Sequence, residues 1–316
     1  MTKIHQSLRE LDQTLKQVKG HFLYSKELSH RIIGMLNEEA LMHSDKLEPD
    51  CNHKRTLVDL QDAWKYAKEE FNGTLDEGFI RRVAGRIHLT AFAYRTSSAM
   101  VQRPGQMHMM TNPAKVEREV GKLLDQYRTS KEHPAFKAVE FNMHFLFIHP
   151  FEDGNVRTGR LLQNLLLHQE GIPPVVIPHT TRLTYLRHLD DALIAFKARG
   201  GQEERFTNYS GPEQRFFEYE LDLVKTAADK LEQKIGRQRK YEVEVGVAGK
   251  GALFTVKKLL YSSLNRDCTV SSVHLEGGRI SVVTSAPEEV IVGVLETYRR
   301  KHNSALQSYD IRRIEK

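Results

Sequence analysis

The sequence predicts a mainly α-helical core followed by a small module of mixed α/β character. Three observations carry that prediction. From residue 5 to about 239 apolar residues recur at three- and four-residue steps, the period of amphipathic helices. From Lys240 onward, period-two runs alternate with helical runs in the order βαββαβ, the pattern of a split two-layer domain. Between two strongly apolar segments lies a polar dozen, His149 to Arg160, whose composition no packed core calls for.

The first helix is read over 5–19, with Leu8, Leu11, Leu15 and Val18 on one side and Gly20 at its end. A second spans 26–42 on Leu28, Ile32, Ile33 and Leu36. A polar loop, 44–54, precedes helices at about 55–71 and 76–94, with Asn72-Gly73 as the turn between them. The later one keeps four-residue spacing through Phe79, Val83, Ile87 and Ala91. Thr96 to Asn112 breaks the period: Arg103-Pro104-Gly105 is turn material and Gln106 to Met110 a candidate strand. Asn112 and Pro113 read as N-cap and first residue of a helix to about 128.

Ala135 to Ile148 is a buried helix on Ala138, Phe141, Phe145 and Ile148, and it delivers His149 at its end. Leu161, Leu162, Leu165 and Leu166 mark the next helix, closed by Gly171 before Pro173 and Pro174. Ile172 to Pro178 is then extended, because its prolines exclude a helix, and is expected to wall the site. Thr181 caps a helix through Leu183, Leu186, Leu189 and Leu193. A polar loop at 199–211 leads into a helix from Pro212 to about Arg239. The final module follows: a strand at Tyr241–Val245, a helix at 250–265, strands at 269–275 and 279–284 around Gly277-Gly278, a helix at 287–302, and a last strand within 304–316. Three segments result: 1–75, 76–239 and 240–316. Gly246 to Gly251 lacks the spacing of a phosphate loop and reads as a plain strand-to-helix turn.

The chemistry concentrates in the polar dozen. A loop that feeds straight into a helix leaves the N–H groups near Gly154, Asn155 and Val156 unpaired and aimed outward, which makes an anion site. Arg157 and Arg160, three residues apart, share a face in the first turns and can hold phosphate oxygens; two of them suggest a polyphosphate. Asp153 is a hard oxygen ligand suited to a magnesium ion that keeps most of its waters. His149 is the group whose ordinary pKa suits proton abstraction near neutral pH. Tyr185 stands as a candidate for packing beside adenine or as a core residue.

His149-Pro-Phe-Glu-Asp-Gly-Asn-Val-Arg-Thr-Gly-Arg160 resembles, position for position, the Fic family signature His-Pro-Phe-x-(Asp/Glu)-Gly-Asn-x-Arg-x-x-Arg. The resemblance implies a helical-bundle core, and transfer of AMP from ATP to a hydroxyl of a target protein. It assigns His149 as base and Asp153 as Mg2+ ligand. Asn155 and the helix start become the phosphate cradle, Arg157 and Arg160 the outer clamp, and Phe151 an apolar plug. It also implies that the segment near 103–112 is a β-hairpin flap that pairs with an extended stretch of the target; a surface loop with inward methionines is the other reading. Family members also carry an inhibitory helix, (Ser/Thr)-x-x-x-Glu-(Gly/Asn), whose glutamate pairs with the second motif arginine. Ser29 to Gly34 fits that frame at both ends, but Ile33 stands at the glutamate position and cannot accept a hydrogen bond from Arg160. A degenerate inhibitory helix and a plain amphipathic helix both remain open. Removal of AMP, transfer of another phosphate-containing group, and nucleotide binding without turnover are the alternatives of function.

At 316 residues the chain is expected to form two or three domains. Lys+Arg 47 against Asp+Glu 41 gives a spread excess of +6, which reads as a solvated surface; no aromatic-interleaved basic patch points to nucleic acid. Cys51 and Cys268 match no metal or redox spacing. With no apolar signal core and no membrane-spanning run, a cytoplasmic protein is expected. Its expected partners are ATP and a protein substrate, with room for a homo-oligomer or regulatory partner.

Overall fold

The computed structural model describes residues 2–21, 23–47, 53–88, 91–103, 106–200, 209–247, 250–264, 271–276, 279–302 and 306–314. The turns expected at Pro104-Gly105 and Gly277-Gly278, residues 248–249, the middle of the 199–211 loop, and both cysteines lie outside those residues. The chain divides into two compact units, one of Met1–Thr14 and Ile33–Ala228, the other of Leu15–Ile32 and Asp229–Lys316.

The helices in order are α1 (Thr2–Gly20), α2 (Lys26–Lys46), α3 (His53–Glu70), α4 (Glu77–Ile87), α5 (Val116–Thr129), α6 (Pro134–Ile148), α7 (Asn155–Gln169), α8 (Arg182–Ala198) and α9 (Gly211–Gly236). A two-stranded antiparallel hairpin, β1 (Met100–Arg103) and β2 (Gln106–Met109), lies between α4 and α5. In the first unit α6 is the centre: it packs on α5, α7 and α8, and nearly every one of its side chains is buried. A helix apolar on all sides has no solvent face to offer, so its neighbours must surround it. The His133 side chain accepts from the Ala135 N–H at 3.1 Å and Pro134 opens the first turn. α7 approaches α6 closely because Gly159 has no side chain: a Cβ there would lie 2.5 Å from Asn142 Oδ1.

The helix expected over 76–94 stops at Ile87. Asp76 caps its start, accepting from the Phe79 N–H at 2.7 Å, and His88 then turns extended. Phe92 folds back over Gly85, where an added Cβ would sit 2.4 Å from its ring. Tyr94 reaches Phe151, with ring centroids 5.7 Å apart. Those tertiary contacts override four-residue spacing. The polar loop expected at 44–54 is narrower than its composition suggested, because α2 continues to Lys46 and α3 begins at His53. Ser44 and Asp45 are buried there with partners from other elements, Arg160 and Thr56.

The second unit carries β3 (Arg239–Val247), α10 (Lys250–Leu264), β4 (Ser271–Glu276), β5 (Arg279–Thr284), α11 (Glu288–Lys301) and β6 (Leu306–Ile314). The sheet is antiparallel throughout in the order β4-β5-β3-β6, so the βαββαβ reading holds. Tyr241 faces Val282 and Val243 faces Ile280 across β3 and β5. They bury one face against Val256 and Leu260 of α10 and Ile291 and Leu295 of α11. Period two on the strands and 3.6 on the helices put these apolar residues on the covered face. The fold is therefore mainly helical, with a hairpin and one small four-stranded sheet. Among the described residues no helix is long and apolar enough to cross a membrane.

Candidate active site

The polar dozen forms the junction from α6 to α7. His149 ends α6 in the left-handed region, with φ 52° and ψ 61°, and is the one non-glycine residue at positive φ among those described. Its N–H donates to the Phe145 carbonyl at 2.9 Å. A non-glycine residue there costs about 1–3 kcal/mol and persists only where its surroundings impose it. Phe151 is the imposed anchor: it is 0% exposed between Tyr94 and Phe145. The plug role that the family resemblance implies matches that burial.

Asn155 closes the loop on itself. Its Oδ1 accepts from the Phe151 N–H at 2.8 Å, and its Nδ2 donates to the Phe151 carbonyl at 2.7 Å. The side chain is thus engaged by the loop, and what Asn155 offers a ligand is its backbone N–H. Gly154 takes φ 79° as the N-cap of α7, and no side chain caps that helix. A Cβ at Gly154 would also press on His88 Cβ at 3.3 Å. An N-terminus without a side-chain cap, reached by a rigid loop, suits an anion.

Arg157 and Arg160 are both nearly buried, at 3% and 6% exposure. Arg157 Nη2 lies 3.7 Å from Asp153 Oδ1, and His88 Nε2 lies 3.3 Å from Asp153 Oδ2. Asp153 itself stays more than half exposed. Arg160 is held by α2: its Nε donates to Ser44 Oγ at 2.8 Å and its Nη2 to the Ser44 carbonyl at 3.1 Å. Ile33 is buried at the position where the family frame expects glutamate. Ser44 lies 44 − 33 = 11 residues beyond it, about three turns along the same helix face. Ser44, Arg157, Arg160, Val175 and Ile177 line one pocket with room for about a single water molecule. Asn164 fastens its far wall, accepting from the Val175 N–H at 2.9 Å and donating to its carbonyl at 3.2 Å. The extended run 172–178 therefore stands beside the two arginines, as its sequence suggested.

Tyr185 does not join them. It is 0% exposed in α8, its ring 6.4 Å from that of Phe216, so no face is open to a base. The leucine spacing that sets this helix also turns the ring inward. The hairpin begins earlier than expected, at Met100 rather than near residue 103, and its described end residues Met100 and Met109 face each other with exposed side chains. The Met107 side chain lies outside the described residues.

Behind α7 runs a buried polar chain that sequence reasoning missed. Asn142 Nδ2 donates to Gln163 Oε1 at 2.9 Å, and Gln163 Nε2 donates to Glu220 Oε2. Burial pushes Glu220 up to about 7, against the opposing pull of Gln163 and Arg160. Unfolded glutamate titrates near 4.3. The folded protein thus holds the extra proton between about pH 4.5 and 7, so this group's contribution to stability falls as pH rises through that window and levels off above it. Glu220→Gln is expected to remove its share of the slope. Thermal melts of both proteins at pH 5 and 8 check this; an unchanged slope would mean that Glu220 is ionised throughout.

Among the described residues no three metal-binding side chains cluster. A single exposed carboxylate at a helix start fits a magnesium ion that takes its remaining ligands from phosphates and water.

Residues 58–167 match the model of the Fic/DOC family. A curated relative, protein adenylyltransferase Fic of Nematostella vectensis, is 35% identical over 117 residues, which is 35% of this chain and 26% of that protein. The chain thus spans about a quarter of that relative's length. Two solved structures share the fold. One is a Fic domain containing signaling protein from Bacteroides thetaiotaomicron, with TM-score 0.60 and 20% identity over 72% of this chain and 97% of that one. The other is a Fic family protein from Desulfovibrio desulfuricans, with TM-score 0.56 and 15% identity over 95% and 87%.

Proposed function

Because residues 58–167 match the model of the Fic/DOC family, we propose that this protein is a magnesium-dependent protein adenylyltransferase. It moves AMP from ATP to a Ser, Thr or Tyr hydroxyl of a target protein and releases pyrophosphate. The observation that carries the reading is the pairing, across one loop closed by Asn155, of His149 at the end of α6 with the start of α7. The name of the curated relative supports the same activity.

In this reading the first N–H groups of α7 and the guanidiniums of Arg157 and Arg160 bind the phosphates. Asp153 would hold Mg2+, which when bound neutralises phosphate charge. His149 takes the proton from the acceptor hydroxyl as its oxygen bonds to the α-phosphorus, and the bond from that phosphorus to the β-phosphate oxygen breaks, so pyrophosphate leaves. Rigid positioning and charge complementarity supply most of the acceleration. The target lies as an extended strand along the 100–109 hairpin, where backbone pairing aligns a hydroxyl without demanding a sequence. Residues 76–239 carry catalysis, 1–75 back it, and 240–316 form an accessory module.

Incubating the protein with ATP labelled at the α-phosphate and a cell lysate tests the reading. Label on protein that disappears when Mg2+ is chelated supports it; nucleotide binding with no label on protein overturns it.

Ser44 bears on how freely ATP enters, since Arg160 must leave it to meet a phosphate. Hydrogen bonds to charged groups contribute about 1.5–3 kcal/mol, and only the hydroxyl half of the contact is removed in Ser44→Ala. That variant is expected to bind ATP about three- to tenfold more tightly. Calorimetric titration with ATP and Mg2+ checks this, and weaker binding would show that Ser44 orients Arg160 for the ligand rather than withholding it.

A further inference from the structure

We propose that Arg95 is a positioning residue that ties the base of the hairpin to the His149 loop, so that the strand receiving the target and the imidazole taking its proton keep one register. The proposal rests on the adenylyltransferase reading for its functional consequence, but its structural core is independent of it.

Arg95 is 2% exposed, in the chain leading from α4 to the hairpin. Its guanidinium donates to four carbonyls from two segments. On the hairpin side, Nη1 donates to Ser97 O at 2.7 Å and Nη2 to Thr111 O. On the loop side, Nε donates to His149 O at 2.6 Å and Nη2 to Ile148 O at 3.3 Å. The Arg95 backbone adds a bond from its N–H to Pro150 O at 2.9 Å. Smaller contacts run in parallel: Ser97 Oγ donates to Glu152, and Thr111 Oγ1 to Phe147 O at 3.4 Å. The hairpin closes just beyond, with the Met110 N–H on Ala99 O at 3.1 Å.

Two needs meet in this one side chain. The last carbonyls of a helix have no partners within it and sit at its negative end, where a cation is favoured. His149, in the left-handed region, needs its peptide plane held from outside. A planar fork with five donors meets both at once, whereas an ammonium is a point donor on a flexible stem and cannot span four carbonyls. Burial pulls the Arg95 guanidinium below its ordinary range, and the negative charge of Glu152, whose carboxyl is held below its usual range by the Ser97 hydroxyl, opposes that pull.

Arg95→Lys keeps charge and stem, and Arg95→Ala removes both. In hydrogen exchange on the nucleotide-free protein, peptides covering 97–111 and 148–153 are expected to lose protection together in either variant, while α5 and the first half of α9 keep theirs. Loosening of one segment alone, or of the whole fold in both variants, would overturn the coupling. In the transfer assay kcat is expected to drop about 100-fold, the loss that follows from about 1 Å of misplacement, with KM for ATP held within about twofold because α7 carries the phosphates. Millimolar methylguanidinium is expected to restore part of the rate to Arg95→Ala, a recovery that a merely structural filler would not show. Unchanged kcat with loosened peptides would overturn the link to catalysis. Absence of any transfer by the unaltered protein would sink the adenylyltransferase reading instead, and the exchange result would still judge the tie.

Discussion

Replacing His149 with asparagine is expected to lower AMP transfer by about 10²–10⁴-fold, the range that a positioned general base supplies, while the affinity for ATP stays within about twofold. Asparagine is the informative choice. His149 sits at φ 52°, a region that asparagine tolerates better than other side chains, so the variant removes the base without forcing the loop to refold. In the proposed reading the phosphate groups bind elsewhere, at the α7 start and at Arg157 and Arg160, and the substitution leaves those untouched. Transfer of α-labelled AMP and calorimetric ATP binding, measured on one preparation, check both halves. Full activity in the asparagine variant would remove His149 from the mechanism; equal loss of binding and transfer would make it part of the nucleotide site instead.

The second large effect concerns Phe151. Truncating a fully buried phenylalanine costs about 3–5 kcal/mol through lost burial and the cavity left behind, and for a unit of this size about 1 kcal/mol shifts Tm by about 2–4 °C. Phe151→Ala is therefore expected to lower Tm by roughly 10 °C. Activity should fall further than stability predicts, because the same ring packs between Tyr94 and Phe145 and fixes the peptide that Asn155 clamps. Melting curves and transfer rates measured well below the melting range separate the two. A small shift in Tm would mean that the loop is held by Asn155 and Arg95 without the plug.

Most of the helical framework was legible in the sequence because each helix buries a stripe, and a stripe repeats. The twelve residues from His149 to Arg160 were legible for a different reason: their chemistry is local, carried by a loop and one helix turn on either side. The readings that changed all turn on side-chain contacts that periodicity does not mark. Tyr185 stood between adenine and the core on sequence grounds, and the packing of its helix turns it inward. The spacing through Ala91 favoured a longer helix, but Phe92 on Gly85 and Tyr94 on Phe151 drew the chain away. Asn155, assigned to the cradle, gives its side chain to Phe151. Arg95 and Glu220 could not have been singled out, since nothing in a single sequence marks a cation or an acid as buried.

What the sequence by itself determined was the order of the elements, the strand pattern of the second unit and the membership of the polar dozen, because periodicity and short-range spacing are properties of neighbours along the chain. The tertiary structure alone decided what faces Arg160 and what steadies His149. Ser44 meets Arg160 from 116 residues away and Arg95 meets His149 from 54, each by hydrogen bonds to buried partners. A buried donor must find an acceptor wherever the fold provides one, and that pairing exists only once α2, the hairpin base and the α6–α7 junction have come together.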